Sequence, residues 1–304
     1  MIVFQTILFL FAARAWSLGL SCPSKPARFQ LSQTPPTQDF RVQTLTFPSR
    51  VHSLFKANNT VWAHYALPQG TGPFPAILVL PVMAAPNTWI EKQFIRRFNQ
   101  KGFATLLLET PYQFHRRPSP SVYSGEVFLA RNPKILAQNF RQAVSDSCQA
   151  LSWLQNRPEI DPSRIGIFGI SLGSLVGSAV YSASSIPKYG VFLLGGADLP
   201  NLLFHSRMTA PFVKKMGISE NELQKAWAGM DVLNYRRENK NKPALLINAS
   251  WDRIIPRKNA LKLKEAFPDS RQMWVPFGHY SAMIHLFWIP QYVARAFQRH
   301  LAKP

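Results

Sequence analysis

The chain has 304 residues, 46% hydrophobic and 12% aromatic, which supports a large core and excludes a disordered or fibrous protein. Its 35 Lys and Arg outnumber 15 Asp and Glu, a formal charge of +20. The basic residues stand in short pairs and form no tail or arm, so specific nucleic-acid binding is not expected, and contact with an anionic surface is what the charge leaves open.

Residues 2–13 are an apolar run, too short to span a bilayer, which needs roughly 20 residues. With Ala13-Arg14-Ala15 behind it as a cleavage sequence, 1–21 reads as a signal peptide and the protein as exported. The signal is imperfect: no Lys or Arg precedes the apolar run, and Arg14 lies where a signal stays neutral, so a cytoplasmic location stays open. Leu18 to Cys22 has a lipoprotein-like layout with Gly19 in place of the usual Leu, which makes a lipid anchor on Cys22 the lesser reading. Cys22 and Cys148 are the two cysteines; they form no disulfide framework and no thiolate cluster, and Cys148 is expected as a buried thiol on a helix.

Residues 22–48 are rich in Pro, Ser, Thr and Gln and read as a leader before a domain spanning 49–304. "QTLTFPS" and "TVWAHYALP" then form a hairpin-like strand pair. "FPAILVLPV", Phe74 to Val82, is continuously apolar, the pattern of a strand buried on both faces. A helix is predicted over 88–100, ended by Gly102, followed by the buried strand "FATLLLE" and a polar loop. A second helix is predicted over 132–157, with Ile135, Phe140, Val144, Cys148, Leu151 and Leu154 on its inner side. "RIGIFGI" is a strand, 172–182 a helix, and "YGVFLLGG" and "ALLINAS" are further buried strands. Between those two lies an insertion, 198–242, with a helix starting at Ser219 and capped by Glu222. "RQMWVPF" is the last strand, and 281–300 a helix bent or interrupted at Pro290. Alternating strands and helices with continuous apolar strands give a mostly parallel sheet covered on both faces, whose ligands bind beyond the carboxyl ends of the strands.

The residues that fit chemistry lie at that edge. "GISLG" places Ser171 between a strand and a helix, with glycines two before and two after, as a tight turn that exposes the hydroxyl. A serine needs a base. His279 follows the last strand in "VPFGHYSAM", whereas His52 and His64 lie in the early strand pair, away from this edge, and His285 and His300 lie in the final helix. The base needs an orienting acid. Asp252 follows "ALLINAS" directly; Asp198 follows "FLLGG" but is expected to cap the insertion. Glu109 ends the "FATLLLE" strand and reads as a substrate-pocket or supporting acid. Tyr112, His115, Arg116 and Arg117 follow in the loop, where the basic pair suits a carboxylate, phosphate or uronic acid, with an ordinary solvated loop as the alternative.

Residues from about 70 to 300 resemble an α/β-hydrolase of the dienelactone-hydrolase, acetyl-esterase and prolyl-oligopeptidase-like branch. The matching pieces are "EIDPSRIGIFGISLG", "INASWDRIIP" and "GHYSA". The resemblance implies the α/β-hydrolase fold, Ser171 as nucleophile, His279 as general base and acid, Asp252 as orienting acid, and no metal or organic cofactor. Two departures stand out. "LPVMAAPN" replaces the usual His-Gly segment, so the second oxyanion donor is expected to be the Met83 N–H beside that of Leu172. Ser174 stands where a second glycine is common. The resulting expectation is a serine hydrolase of small-molecule or polymer-borne acyl esters, with 198–242 either an apolar lid or an insertion whose apolar residues only pack it onto the sheet. A peptidase, an esterase of acidic polymers or lipids, and a silent binding protein are the alternatives.

Overall fold

The computed structural model describes residues 19–22, 27–33, 41–129 and 132–301. The apolar run and cleavage sequence assigned to a signal peptide lie outside the described residues. Among the described residues, no helix is long and apolar enough to cross a membrane.

Nine strands form one mixed sheet in the order β1-β2-β3-β5-β4-β6-β7-β8-β9. They are β1 (Gln30–Gln33), β2 (Arg41–Pro48), β3 (Thr60–Leu67), β4 (Phe74–Leu80), β5 (Ala104–Leu108), β6 (Ile160–Ile170), β7 (Tyr189–Leu193), β8 (Ala244–Ala249) and β9 (Arg271–Val275). From β5 to β9 every pairing is parallel; β1, β2 and β3 extend the sheet antiparallel. This is the α/β-hydrolase fold. The stretch read as a leader contributes β1, and the strand expected at "QTLTFPS" is β2, paired antiparallel with β3 as expected, so the sheet begins well before residue 49. That edge of the sheet is half-exposed and polar, which is why its composition resembles a linker.

Eight α-helices are described: α1 (Trp89–Gln100), α2 (Pro133–Gln155), α3 (Leu172–Ala183), α4 (Leu199–His205), α5 (Ala210–Lys215), α6 (Glu220–Ala226), α7 (Arg257–Ala266) and α8 (Ile289–His300). Residues alternate across β4: Ala76, Leu78 and Leu80 face a core with α2 and α3, while Ile77 and Val79 face a core with α1 and α8. Every residue from Ala76 to Leu80 is fully buried, as a doubly covered strand requires.

Several local expectations are revised. Ile135 is exposed on α2 and does not join its inner side. The final helical stretch is interrupted, the second of the two options: Pro290 sits in the first turn of α8, where its missing N–H costs nothing, and residues 281–287 form a separate 3-10 turn. The insertion folds into α4, α5 and α6, and α6 carries the expected Ser219–Glu222 capping box. Asp198 occupies the residue before α4, but its side chain makes no capping bond. Asp231 does that work, accepting the Leu199 N–H and, at 3.0 Å, that of Leu233.

Cys22 and Cys148 form a disulfide that ties the N-terminal segment to the middle of α2. This corrects the reading of Cys148 as a free buried thiol, and it occupies the Cys22 sulfur that a lipid anchor would need. Lys242, two residues before β8, donates to the carbonyls of Tyr181, Ser182 and Ser184 at 2.6, 3.1 and 3.0 Å, capping the C-terminus of α3.

Candidate active site

Ser171 lies between β6 and α3 at φ 53° and ψ −113°, a region that a non-glycine residue occupies at a cost of about 1–3 kcal/mol. Surrounding contacts enforce the turn. The Ser171 N–H donates to the Leu193 carbonyl at 2.9 Å, locking the turn to β7. A Cβ on Gly169 would meet the Gly173 carbonyl oxygen at 2.1 Å, and one on Gly173 would meet the Leu80 carbonyl oxygen at 2.2 Å. Both glycines are therefore steric requirements, since α3 packs bare backbone against β6 and the end of β4. Ser174, the departure from the usual glycine, is fully buried, and its hydroxyl reaches the Gly169 and Leu193 carbonyls at 2.7 and 2.6 Å. It reinforces the turn.

The Ser171 Oγ is 2.9 Å from His279 Nε2. His279 Nδ1 is 2.7 Å from Asp252 Oδ2. A carboxylate only accepts, so Nδ1 carries the proton and Nε2 is left to accept from the serine hydroxyl. Asp252 is fixed in turn, its Oδ1 accepting the Ile254 and Ile255 N–H groups, each at 2.8 Å. The His279 and Asp252 side chains are only 9% and 4% exposed, so the imidazole–carboxylate contact is shielded from water.

The first N–H of α3, that of Leu172, and the segment after β4 flank Ser171. There the Val82 N–H donates to Glu91 Oε1 at 3.0 Å and the Ala84 N–H to Gln113 Oε1 at 3.1 Å. Two buried side chains thus hold the residues on either side of Met83. Sequence reasoning missed both. Glu91 reads as an ordinary first-turn helix acid and Gln113 as a loop residue; only the fold brings them under one loop. Burial is the largest influence on the Glu91 carboxyl and pushes its pKa up, against the Val82 N–H bond that lowers it.

Ser171 opens on two cavities. One, about 60 Å³, lies under the insertion and is lined by Leu175, Leu203, Trp227 and Ile255 among others. The other, about 280 Å³, is bounded by Met83, Ile90, Leu194, His279 and Tyr280. Among the described residues, no Lys, Arg, Asp or Glu side chain lines either cavity.

A protein-family comparison matches residues 133–301 to the prolyl oligopeptidase family, a span that holds Ser171, Asp252 and His279. The chain belongs to the prolyl oligopeptidase family. It is accordingly a serine hydrolase acting on esters or peptides. Solved structures of similar shape include an acetyl xylan esterase from Paenibacillus sp. R4, with a TM-score of 0.69 and 16% identity over 97% of this chain and 94% of that one. Acetyl xylan esterase 1 from Thermoanaerobacterium sp. JW/SL YS485 is similar at a TM-score of 0.65 and 17% identity, covering 91% of this chain and 98% of that one. An acylaminoacyl peptidase from Pyrococcus horikoshii is similar at 0.63 and 16% identity, over 86% of this chain but 41% of its own. Likeness at these identities shows the shared fold. A search of curated proteins by sequence finds no match.

The residues expected to line the substrate pocket of this prolyl oligopeptidase family member lie elsewhere. Glu109, Tyr112, His115 and Arg116 border neither cavity at Ser171. Tyr112 is buried, edge-on to Phe55. Arg116 is wholly buried, ion-paired with Asp146 at 2.8 Å and donating to the carbonyls of Glu109 at 2.9 Å and Asn58 at 2.8 Å. Its charge is spent within the fold, and it is unavailable to a substrate anion. Glu109 accepts from His115 and from His64, which the antiparallel insertion of β3 beside β5 brings to this edge. His64 therefore sits closer to the carboxyl edge than expected. His285 lies in the 3-10 turn, its Nδ1 accepting from Trp288 Nε1 at 2.6 Å and its ring against Phe277.

Proposed function

We propose that the protein is an exported carboxylic-ester hydrolase with Ser171 as nucleophile, His279 as general base and acid, and Asp252 as the residue that orients the imidazole. The observation that carries this reading is the unbroken Ser171–His279–Asp252 hydrogen-bond chain at the junction of two uncharged cavities. His279 Nε2 takes the Ser171 proton as Oγ attacks the acyl carbonyl. The oxyanion is received by the Leu172 and Met83 N–H groups, each donor worth on the order of 3 kcal/mol in the transition state. Collapse releases the alcohol, protonated by His279, and leaves an acyl-enzyme. A water deprotonated by the same imidazole then frees the acid.

Uncharged walls favour an ester with apolar groups on both sides of the carbonyl over a substrate carrying a free ammonium or a uronic acid. The narrower cavity under 198–242, which acts as a lid, suits a compact acyl group, and the wider one suits the alcohol. Export is supported by the Cys22–Cys148 disulfide, since such bonds persist in oxidising compartments.

The test pairs active-site labelling by a fluorophosphonate with hydrolysis of p-nitrophenyl esters from acetate to octanoate and of peptide p-nitroanilides. Wild type is expected to label and to favour acetate to butyrate, with Ser171→Ala unlabelled and slower by about 10⁶-fold in kcat. Equal labelling of folded wild type and Ser171→Ala overturns the assignment of the nucleophile. Faster turnover of the anilides overturns the ester preference.

A further inference from the structure

Beside the Ser171 cavities, a second cluster has a different chemistry. His64 on β3, Glu109 after β5 and His115 in the following turn each offer one ligand atom, all within 4.8 Å of one another. His64 Nε2 and His115 Nδ1 both point at one oxygen, Glu109 Oε1, at 2.9 and 2.7 Å. The other oxygen, Oε2, is held by the His115 backbone N–H at 3.0 Å, which turns Oε1 toward the two rings. The His115 ring is fixed by stacking on Trp62, 4.5 Å between centroids and 17° from parallel. Glu109 is buried, whereas 55% of the His115 side chain is exposed, so one side of the cluster is open to water.

We propose that His64, Glu109 and His115 form a binding site for a first-row divalent cation, with zinc as the best-suited ion. Two imidazole nitrogens and one carboxylate oxygen are the donor set of three-ligand zinc and related sites, in which water completes the shell. Bonds of about 2.0–2.2 Å around a tetrahedral ion place ligand atoms roughly 3.3 Å apart, so each imidazole nitrogen need draw back from Oε1 by only about half an ångström to admit one. The Oε2 bond and the Trp62 stack supply the outer supports that hold metal ligands in orientation. The cluster borders neither cavity at Ser171, so the ion acts as a clamp and takes no part in the hydrolysis. It pins β3 to the loop carrying Gln113, which in turn holds the Ala84 N–H next to Met83. The family resemblance implies no metal, and these residues depart from that.

The full chain, stripped with EDTA and dialysed, is titrated with Zn²⁺ by calorimetry and with Co²⁺ by visible absorption, alongside His64→Ala and His115→Ala. One ion per chain is expected, with a Co²⁺ d–d band and at least tenfold weaker binding in each variant. Both changed side chains are partly exposed, and melting of the metal-free variants within a few degrees of wild type shows that they fold. No saturable binding by wild type below 1 mM Zn²⁺ overturns the site. So does affinity within twofold of wild type in both variants, which places the ion elsewhere, as at His279.

Discussion

Removing the disulfide by a Cys22→Ala, Cys148→Ala double substitution tests the link between the N-terminal segment and α2. The two cysteines are 126 residues apart in sequence. Loop-closure entropy for a ring of that size is about 16 cal/mol/K, or about 5 kcal/mol at 25 °C. Native strain and residual structure in the unfolded chain reduce what is measured, so about 2–5 kcal/mol is expected, a large share of a typical domain's stability. The assay is urea unfolding followed by tryptophan fluorescence, for wild type, wild type with a phosphine reductant, and the double variant. Thiol titration of the unreduced, denatured protein should find no free thiol. The reduced wild type and the variant should lose stability by similar amounts. Coincident unfolding curves for oxidised and reduced wild type would refute the reasoning, as would two free thiols in protein taken from an oxidising compartment.

Other outcomes follow from the same contacts. Gly173→Ala places a Cβ 2.2 Å from the Leu80 carbonyl oxygen, backbone against backbone, and should cost about 3 kcal/mol or more together with most of the esterase activity; a variant with wild-type melting would contradict this. Arg116→Met leaves the buried Asp146 carboxylate uncompensated, so denaturant unfolding should show a loss of about 3–5 kcal/mol, while KM for neutral esters in the fraction that still folds stays unchanged. A rise in KM with intact stability would restore Arg116 as a substrate ligand. Glu91→Gln tests a buried acid whose folded pKa is raised by burial. The folded wild type retains a proton that the unfolded chain gives up above about 4.5, so this stabilisation is full below that value and lost as pH rises through the folded pKa. Gln keeps the acceptor for the Val82 N–H and does not titrate. Its stability relative to wild type should therefore climb with pH over that window, by at most about 1.4 kcal/mol per unit. A difference that is flat or falls from pH 4 to 8 would contradict the assignment.

What could be read from the chain alone follows the range over which each signal acts. The apolar run Ala76 to Leu80 and the Gly169–Gly173 spacing are local patterns with one physical solution each, and Asp252 and His279 were reachable because each directly follows such a strand. The rest depends on contacts between distant segments. Arg116 looks like a solvated loop cation until Asp146, 30 residues on, is brought against it. The His64–Glu109 contact exists because β3 inserts beside β5, a pairing that no stretch of either strand announces. The Cys22–Cys148 pairing carries no local mark either, and β1, four residues at the sheet edge, is too short and polar to be told from a leader.

Lys242 gives the site a second point of attachment. The ammonium grips the tail of α3, whose head carries Ser171, and it sits at the root of β8, whose tip carries Asp252. Ser171 and Asp252 thus ride on two lever arms riveted together at the end remote from the Ser171–His279 contact. A slip of one arm along the other, which would open the serine-to-carboxylate spacing with little change at the site itself, must first strip three carbonyls from one half-buried cation. Loosening of the Ser171–His279–Asp252 contacts would then register far from them, as a frayed α3 terminus.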